Sequence, residues 1–448
     1  MTSHLQLSDD LLDRYNRPTP RYTSYPPAPH WGDAGPAHLI GALEKSTRPL
    51  SVYMHIPFCE RLCLYCGCNV IINKDHSAAD AYVARLIAEM DLLVAAHGHR
   101  VNQVHWGGGT PTYLDCRQIT ELFNALRTRF CLDDNAEVSI EIDPRVTTLE
   151  QLVTLRSAGF NRLSVGVQDF DPIVQQAVRR IQPFAMTSEL IEQARSLNFD
   201  SINLDLIYGL PMQTLTSFER TLQQVLRLSP DRIAMFSYAH VPSLKHQQRS
   251  FEKDLPTESE KSDLFLMGLQ TLTSHGYEHI GLDHFARPDD PLAIARATGS
   301  LHRNFQGYTT HAETDLIALG VSSISHVGNT YAQNYRELAP YNNAIDEKRL
   351  PVFRGYVMSA DDEIRAAVIE SVLCNRVVRK LDIQSAFSIS FDDYFGFELD
   401  RLSEFQRDDL VEMDSREIRV TDVGRFFVRS IAQVFDAFAP AGVASKAV

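Results

Sequence analysis

An α/β fold, built as a partial (β/α)6 barrel of the TIM type with an N-terminal extension and a small, mostly helical C-terminal domain, is the architecture this sequence predicts. Three observations point to it. Six β-rich runs alternate with six helical patterns between residues 50 and 240, motifs rich in Cys, Gly, Asp and Gln follow the runs directly, and the alternation gives way to helices near residue 360. Strict alternation implies parallel strands joined by right-handed crossovers. Six units are fewer than a closed barrel needs, so a partial barrel fits best and an open doubly wound sheet is the rival.

Strands are expected at 51–56, 101–106, 137–142, 162–167, 201–208 and 232–238, with helices at 78–96, 117–130, 149–158, 172–180, 189–197 and 216–228. The third helix carries its own punctuation: Thr148 and Gln151 form a capping-box pair, and Gly159 supplies the stop. A helix at 258–275 precedes an irregular stretch, 281–310, rich in His, Arg, Asp and aromatic residues. From about residue 360 come helices, a hairpin over 410–420 and a final helix over 423–435, a winged-helix-like order. The expected division is an extension over 1–35, a barrel over 36–355 and a C-terminal domain over 356–448. A winged helix raises DNA binding, but the final helix shows only Arg425 and Arg429, so no nucleic-acid partner is expected.

The 448 residues are 44% hydrophobic, with Gly and Pro in the ordinary globular range, which sets aside disordered and fibrous classes. A formal charge of −14 argues against broad nucleic-acid binding. It leaves room for an anionic small substrate held in a local basic pocket. The N-terminus is polar, with no apolar core of a signal peptide. The most apolar helical stretch, 81–96, is broken by Arg85, Glu89 and Asp91, so no membrane insertion is expected and the location is cytoplasmic.

Of seven cysteines, Cys59, Cys63, Cys66 and Cys68 fall within ten residues. In a reducing compartment such crowding reads as a metal site rather than a disulfide framework. Three thiolates spaced Cys59-x-x-x-Cys63-x-x-Cys66 can each bind one iron of a cubane and leave the fourth iron open to an exogenous ligand. A tetrahedral zinc site is the competing reading of four clustered cysteines. Zinc sites usually pair two distant Cys-x-x-Cys knuckles, and Cys116, Cys131 and Cys374 are isolated, more in keeping with small buried hydrophobes.

With these residues in view, the chain resembles the radical S-adenosylmethionine superfamily and, within it, the bacterial oxygen-independent coproporphyrinogen III oxidases. The resemblance rests on PRYTSYP (20–26), YMHIPFCERLCLYCGCN (53–69), HWGGGTPTYL (105–114), IEIDPR (140–145), RLSVGVQDF (162–170), DLIYGLP (205–211), DHFARPDD (283–290) and HRNFQGYTT (302–310). It implies a [4Fe–4S] cluster on Cys59, Cys63 and Cys66, the residues on which catalysis rests, with Cys68 matching a cysteine that is not a ligand. It implies two molecules of S-adenosylmethionine. Tyr53, Gly108, Glu141 and Ile324 match contacts to the one on the cluster; Tyr65, Gly109, Thr110, Gln168, Arg180, Asp205 and Ala239 match contacts to the second. The implied reaction converts two propionates of coproporphyrinogen III to vinyls, giving protoporphyrinogen IX. In it an adenosyl radical takes a hydrogen from the propionate β-carbon, and CO2 leaves with loss of an electron. A reductant and a terminal electron acceptor, neither identified by the sequence, are implied, as is a monomer.

The residue types agree with those roles. Glycines 107–109 permit a close backbone approach, Glu141 and Asp205 can accept from hydroxyl or ammonium groups, and Arg180 can hold a carboxylate in a two-point fork. A substrate with four carboxylates needs cations, and Arg21, Arg287, His302 and Arg303 are the candidates, with the 20–26 segment reaching over the pocket. The alternative is a haem-handling relative, either a haem chaperone or a haem-opening methyltransferase. Those relatives typically place an aromatic where this chain has Cys68.

Overall fold

The computed structural model describes residues 9–438. Residues 1–8 and 439–448, the outer ends of the expected extension and C-terminal domain, lie outside the described residues.

The predicted strands form β1 (Leu50–Ile56), β2 (Arg100–Gly108), β3 (Cys131–Ile142), β4 (Arg162–Gln168), β5 (Ser201–Tyr208) and β6 (Arg232–Ser237). Each pairs in parallel with the next, β1 with β2 through β5 with β6. Spatial order therefore equals chain order, and every crossover turns the same way. A doubly wound sheet would reverse its order part-way, so the rival topology is excluded.

β4 shows why the sheet curves around a wet interior. Leu163, Val165 and Val167 are buried on one face, whereas Arg162, Ser164, Gly166 and Gln168 are partly exposed on the other. The apolar face packs against the surrounding helices, and the polar face lines a space that a closed eight-stranded barrel would fill with branched aliphatics.

The helices fall close to expectation. Over Leu149–Ala158, Thr148 Oγ1 accepts from Gln151 N–H at 3.2 Å and Gln151 Oε1 accepts from Thr148 N–H at 2.9 Å, and Gly159 ends the helix at φ +118°. The 172–180 helix is shorter than predicted, Pro172–Ala177, because Arg179 turns to φ +56°. That turn brings Arg180 to the cavity.

The stretch after β6 departs most from expectation. Glu278–Gly281 (β7) and His284–Ala286 (β8) continue the sheet antiparallel beyond β6, in the order β6-β8-β7. His302–Asn304 (β9) and Gly307–Thr309 (β10) make a separate hairpin. Asp315–Leu319 (β11) adds a seventh parallel strand on the outer side of β1. Ile324–Val327 (β12), Thr330–Asn334 (β13) and Val352–Val357 (β14) extend that edge antiparallel. The sheet thus has twelve strands.

Beyond it, residues 360–435 carry helices and a three-stranded sheet of Val377–Arg379 (β15), Val411–Met413 (β16) and Glu417–Val420 (β17). The expected final helix is broken into two 3-10 turns around Val428–Ala432. Arg429, on that segment, is 5% exposed and donates to the carbonyls of Thr19 and Pro20, so it ties down the N-terminal strap. No described helix is long and apolar enough to cross a membrane.

Candidate active site

The cysteine segment leaves the C-terminal end of β1 and is held from both sides. Ile71 N–H bonds Pro57 O at 2.8 Å, Gly109 N–H bonds Ile56 O at 2.8 Å, and Thr110 N–H bonds Phe58 O at 2.9 Å. This explains the glycine run. A Cβ on Gly109 would stand 2.6 Å from Pro57 O, and one on Gly108, at φ +120°, 2.7 Å from the His55 ring. The close approach is thus first to the protein's own backbone and only then to a ligand. From the other side, Leu64 N–H bonds Val178 O at 3.0 Å, and Gln248 and Gln247 donate to the carbonyls of Tyr65 and Cys66 at 3.0 and 3.1 Å.

Cys59, Cys63 and Cys66 line one cavity of about 410 Å³, together with Tyr65, Gly108, Gly109, Thr110, Glu141, Gln168, Arg180, Asp205 and Ala239. Nine of the eleven S-adenosylmethionine candidates therefore converge. Tyr53 and Ile324 lie outside that lining. Tyr53 stacks on His105 at 5.8 Å on the inner face of the sheet, and Ile324 packs beside Trp31, Tyr331 and Met358.

The cavity's charges are organised around Asp143, which the sequence reading placed at a strand end without a role. Asp143 Oδ2 accepts from Arg145 at 2.6 Å and from Arg180 at 3.0 Å. Burial alone would push this carboxyl up, but the two guanidiniums pull it down to about 2. Both arginines also reach Cys63 Sγ, at 3.4 and 3.7 Å. Arg180 donates in addition to Gly166 O at 2.6 Å, and its Nε is a buried donor with no partner, available to an anionic ligand. Cys59 meets Thr110 Oγ1 at 3.3 Å, and burial pushes its thiol up to about 11. Cys68 hydrogen-bonds beside Cys66 and lowers the Cys66 thiol.

Two acids face the cavity from neighbouring strands. Glu141 accepts from Gly108 N–H at 3.0 Å and lies 3.5 Å from His105 Nε2; burial would raise its carboxyl, and His105 and Gly108 hold it below the usual value. Asp205 accepts from Asn203 at 2.7 Å and Ser164 at 3.1 Å, and burial together with the Glu141 charge pushes it up to about 7. Gln168 takes φ +70° where β4 bulges, a strained backbone that turns its side chain to the site.

These residues fit an iron–sulfur cluster with a bound zwitterion. Three cysteines and two guanidiniums share one wall, and acceptors for hydroxyl or ammonium groups line another. Among the described residues no three His, Cys, Asp or Glu side chains stand close enough to hold a single metal ion, a wider spread than tetrahedral zinc requires.

The four substrate candidates separate. Arg287 donates to the carbonyls of Pro230 and Ser229 at 3.1 Å, beside Ala286, which pairs with Arg232 at the start of β6. That is the rim opposite the cysteines, and the side chain caps a helix end there. His302 Nδ1 lies 3.2 Å from Glu370 of the C-terminal region, whose charge raises the imidazole. Arg21 ion-pairs with Asp283, and Arg303 covers the Tyr308 ring at 4.9 Å.

The sequence reading also missed Arg145, Ser164, Asn203 and His105. The signals were there: Arg145 ends IEIDPR, and the other three share strands and facing with residues that were named.

The Radical SAM superfamily profile matches residues 53–225. The oxygen-independent coproporphyrinogen III oxidase of Escherichia coli is 45% identical over 96% of this chain and 94% of its own length. This chain belongs to that family. The family enzyme of Pseudomonas aeruginosa is 44% identical over 98% of both chains. A solved structure of the coproporphyrinogen III oxidase HemN from Escherichia coli, described as a radical SAM enzyme, superposes with a TM-score of 0.94 at 43% identity, covering 98% of this chain and all of the other. The family's architecture therefore extends over the barrel, the added strands and the C-terminal region alike.

Proposed function

We propose that this chain is a cytoplasmic, monomeric enzyme that decarboxylates two propionates of coproporphyrinogen III to vinyls, giving protoporphyrinogen IX without oxygen. The observation that carries the reading is the convergence of Cys59, Cys63 and Cys66 with nine S-adenosylmethionine candidates on one cavity at the C-terminal strand ends. The full-length relatives narrow the substrate.

In this reading Cys59, Cys63 and Cys66 hold a [4Fe–4S] cluster, which with S-adenosylmethionine supplies one electron and a carbon radical for hydrogen abstraction. Arg180 and Arg145 hold Asp143 and the Cys63 thiolate, and the free Arg180 Nε holds a carboxylate of one S-adenosylmethionine. Glu141 and Asp205 accept from ribose hydroxyls or an ammonium, with Tyr53 and Ile324 on the cluster-bound molecule and Tyr65, Gly109, Thr110, Gln168 and Ala239 on a second. The barrel, 36–355, carries the chemistry. Of the flanking regions, residues 9–35 and 356–438 close its open side, which keeps water and oxygen out. A reductant and a terminal acceptor complete the electron balance.

The test is anaerobic reconstitution followed by reductant, S-adenosylmethionine and coproporphyrinogen III. About four irons with matching sulfide, 5′-deoxyadenosine and a divinyl product are expected. Zinc without sulfide, or tight haem binding without decarboxylation, overturns the reading.

A further inference from the structure

A line of rings leads sideways from the cavity into the lateral opening of the barrel. Phe236, in the cavity wall, meets His284 edge-on at 5.9 Å. His284 meets Tyr308 edge-on at 5.3 Å, and the Arg303 guanidinium lies over the same ring at 4.9 Å. Arg303 and Tyr308 are cross-strand partners in the β9–β10 hairpin, so the backbone fixes this stack.

Arg303 Nε and Nη1 and His284 Nδ1 are buried and have no hydrogen-bond partner. A buried polar group left without a partner is costly, more so when it is charged, so these three are not left by chance packing. Asp283, beside His284 in the chain, is already ion-paired to Arg21. Glu370 accepts the His302 imidazole and the Arg303 backbone N–H and leaves the guanidinium alone.

We infer that His284 and Arg303 form a carboxylate receptor, which anchors a propionate of the substrate other than the one reacting and so sets which edge of the macrocycle enters the cysteine cavity. The inference rests on the function proposed above. The surrounding charge agrees with it. Burial and the nearby Arg303 and Arg21 push the His284 imidazole down to about 3, and burial with Arg429 and Arg303 pushes Arg21 down to about 10. The region holds more positive charge than its own carboxylates balance, a state that an incoming anion relieves. A guanidinium offering two adjacent N–H groups matches a carboxylate's two oxygens, and the neutral imidazole can present Nδ1–H to the same anion.

The experiment titrates the cluster-loaded protein, kept anaerobic, with coproporphyrin III, the fluorescent oxidised tetracarboxylate, and reads Kd by fluorescence. Iron content and far-ultraviolet dichroism monitor the fold. Arg303→Ala should weaken binding about ten- to a hundredfold, the span of one charge-assisted hydrogen bond. His284→Phe, which keeps the ring contacts, should weaken it several-fold. The wild type should also prefer coproporphyrin III to the dicarboxylate protoporphyrin IX, and Arg303→Ala should lose that preference. Affinities within twofold of wild type in both variants overturn the receptor while the decarboxylase reading stands. A wild type that neither binds coproporphyrin III nor decarboxylates coproporphyrinogen III overturns both.

Discussion

Glu89 and Asp205 are both withdrawn from solvent and both pushed up to about 7, yet they serve opposite ends. Glu89, on the helix Ser77–Leu92, accepts from Gly320 N–H at 2.8 Å, Asn334 at 2.6 Å and the Tyr341 hydroxyl at 2.7 Å. Those bonds pin the turn after β11 against the helix, and Glu89 lines no cavity described above. Asp205 is also fully bonded on its near side, to Asn203 and Ser164, but its other side faces the cavity opposite Glu141. A perturbed carboxyl is therefore no marker of function by itself. What separates the two is whether the group has a partner still to come.

The sharpest way to break this contrast is to remove a cysteine. Cys63→Ser should abolish substrate turnover and lower bound iron, because a cluster missing one of three ligands is not retained on this loop. The fold should persist, since Asp143, Arg145 and Arg180 still bond one another without the sulfur. Iron and sulfide analysis beside a thermal melt reads both halves. Undiminished turnover in Cys63→Ser would sink the site.

The cysteine rim was legible because its residues sit in short motifs at strand ends, where a βα fold always places its chemistry. The 53–69 loop shows in its cysteine spacing, whereas Glu141, Gln168 and Asp205 were named through the family resemblance, with which their place at strand ends agrees. The structural role of Glu89 was not legible, because its partners Gly320, Asn334 and Tyr341 are more than 200 residues away and no local pattern names them. The same holds for β11–β14 and for the 281–310 stretch. There, strands of three to six residues are defined by pairing with distant partners, and their runs are too short to show a period. The placement of Arg287 was hidden for a related reason: β8 runs antiparallel to β6 and carries it to the rim opposite the cysteines.

Next in size is the loss of the Glu89 network. Glu89→Ala takes the acceptor from the Gly320 N–H and the Tyr341 hydroxyl, while Asn334 keeps Gly320 O and Ser323 Oγ, and about 3 kcal/mol of stability should go with it, read as a lower urea midpoint. Iron content and turnover at 25 °C should stay near wild type. The contrast also has a pH signature. Glu89 binds its proton more tightly folded than unfolded, so the stability it contributes is fully present below about pH 4.5 and is lost as pH rises through 7. The wild-type midpoint should therefore carry a falling component between pH 5 and 7 that Glu89→Ala lacks. An identical pH profile in the variant would show that this carboxyl does not titrate there.

The smallest effect tests the other acid through its ligand. Asp205 is protonated below about 7, because burial and the Glu141 charge both oppose its ionisation. An ammonium or a hydroxyl donor on S-adenosylmethionine is held better by the carboxylate than by the acid. Affinity should accordingly climb between pH 6 and pH 8, by up to about tenfold per unit below the pKa, and level off above it. Asp205→Asn keeps the size and the bonds to Ser164 and Asn203 in reach but cannot ionise, so its affinity should be lower at pH 8 and nearly flat across the range. Calorimetric titration of the reconstituted protein at three pH values is enough. If the climb survives in Asp205→Asn, the titrating group lies elsewhere, and Asp205 then belongs with Glu89 among the acids that only hold the scaffold.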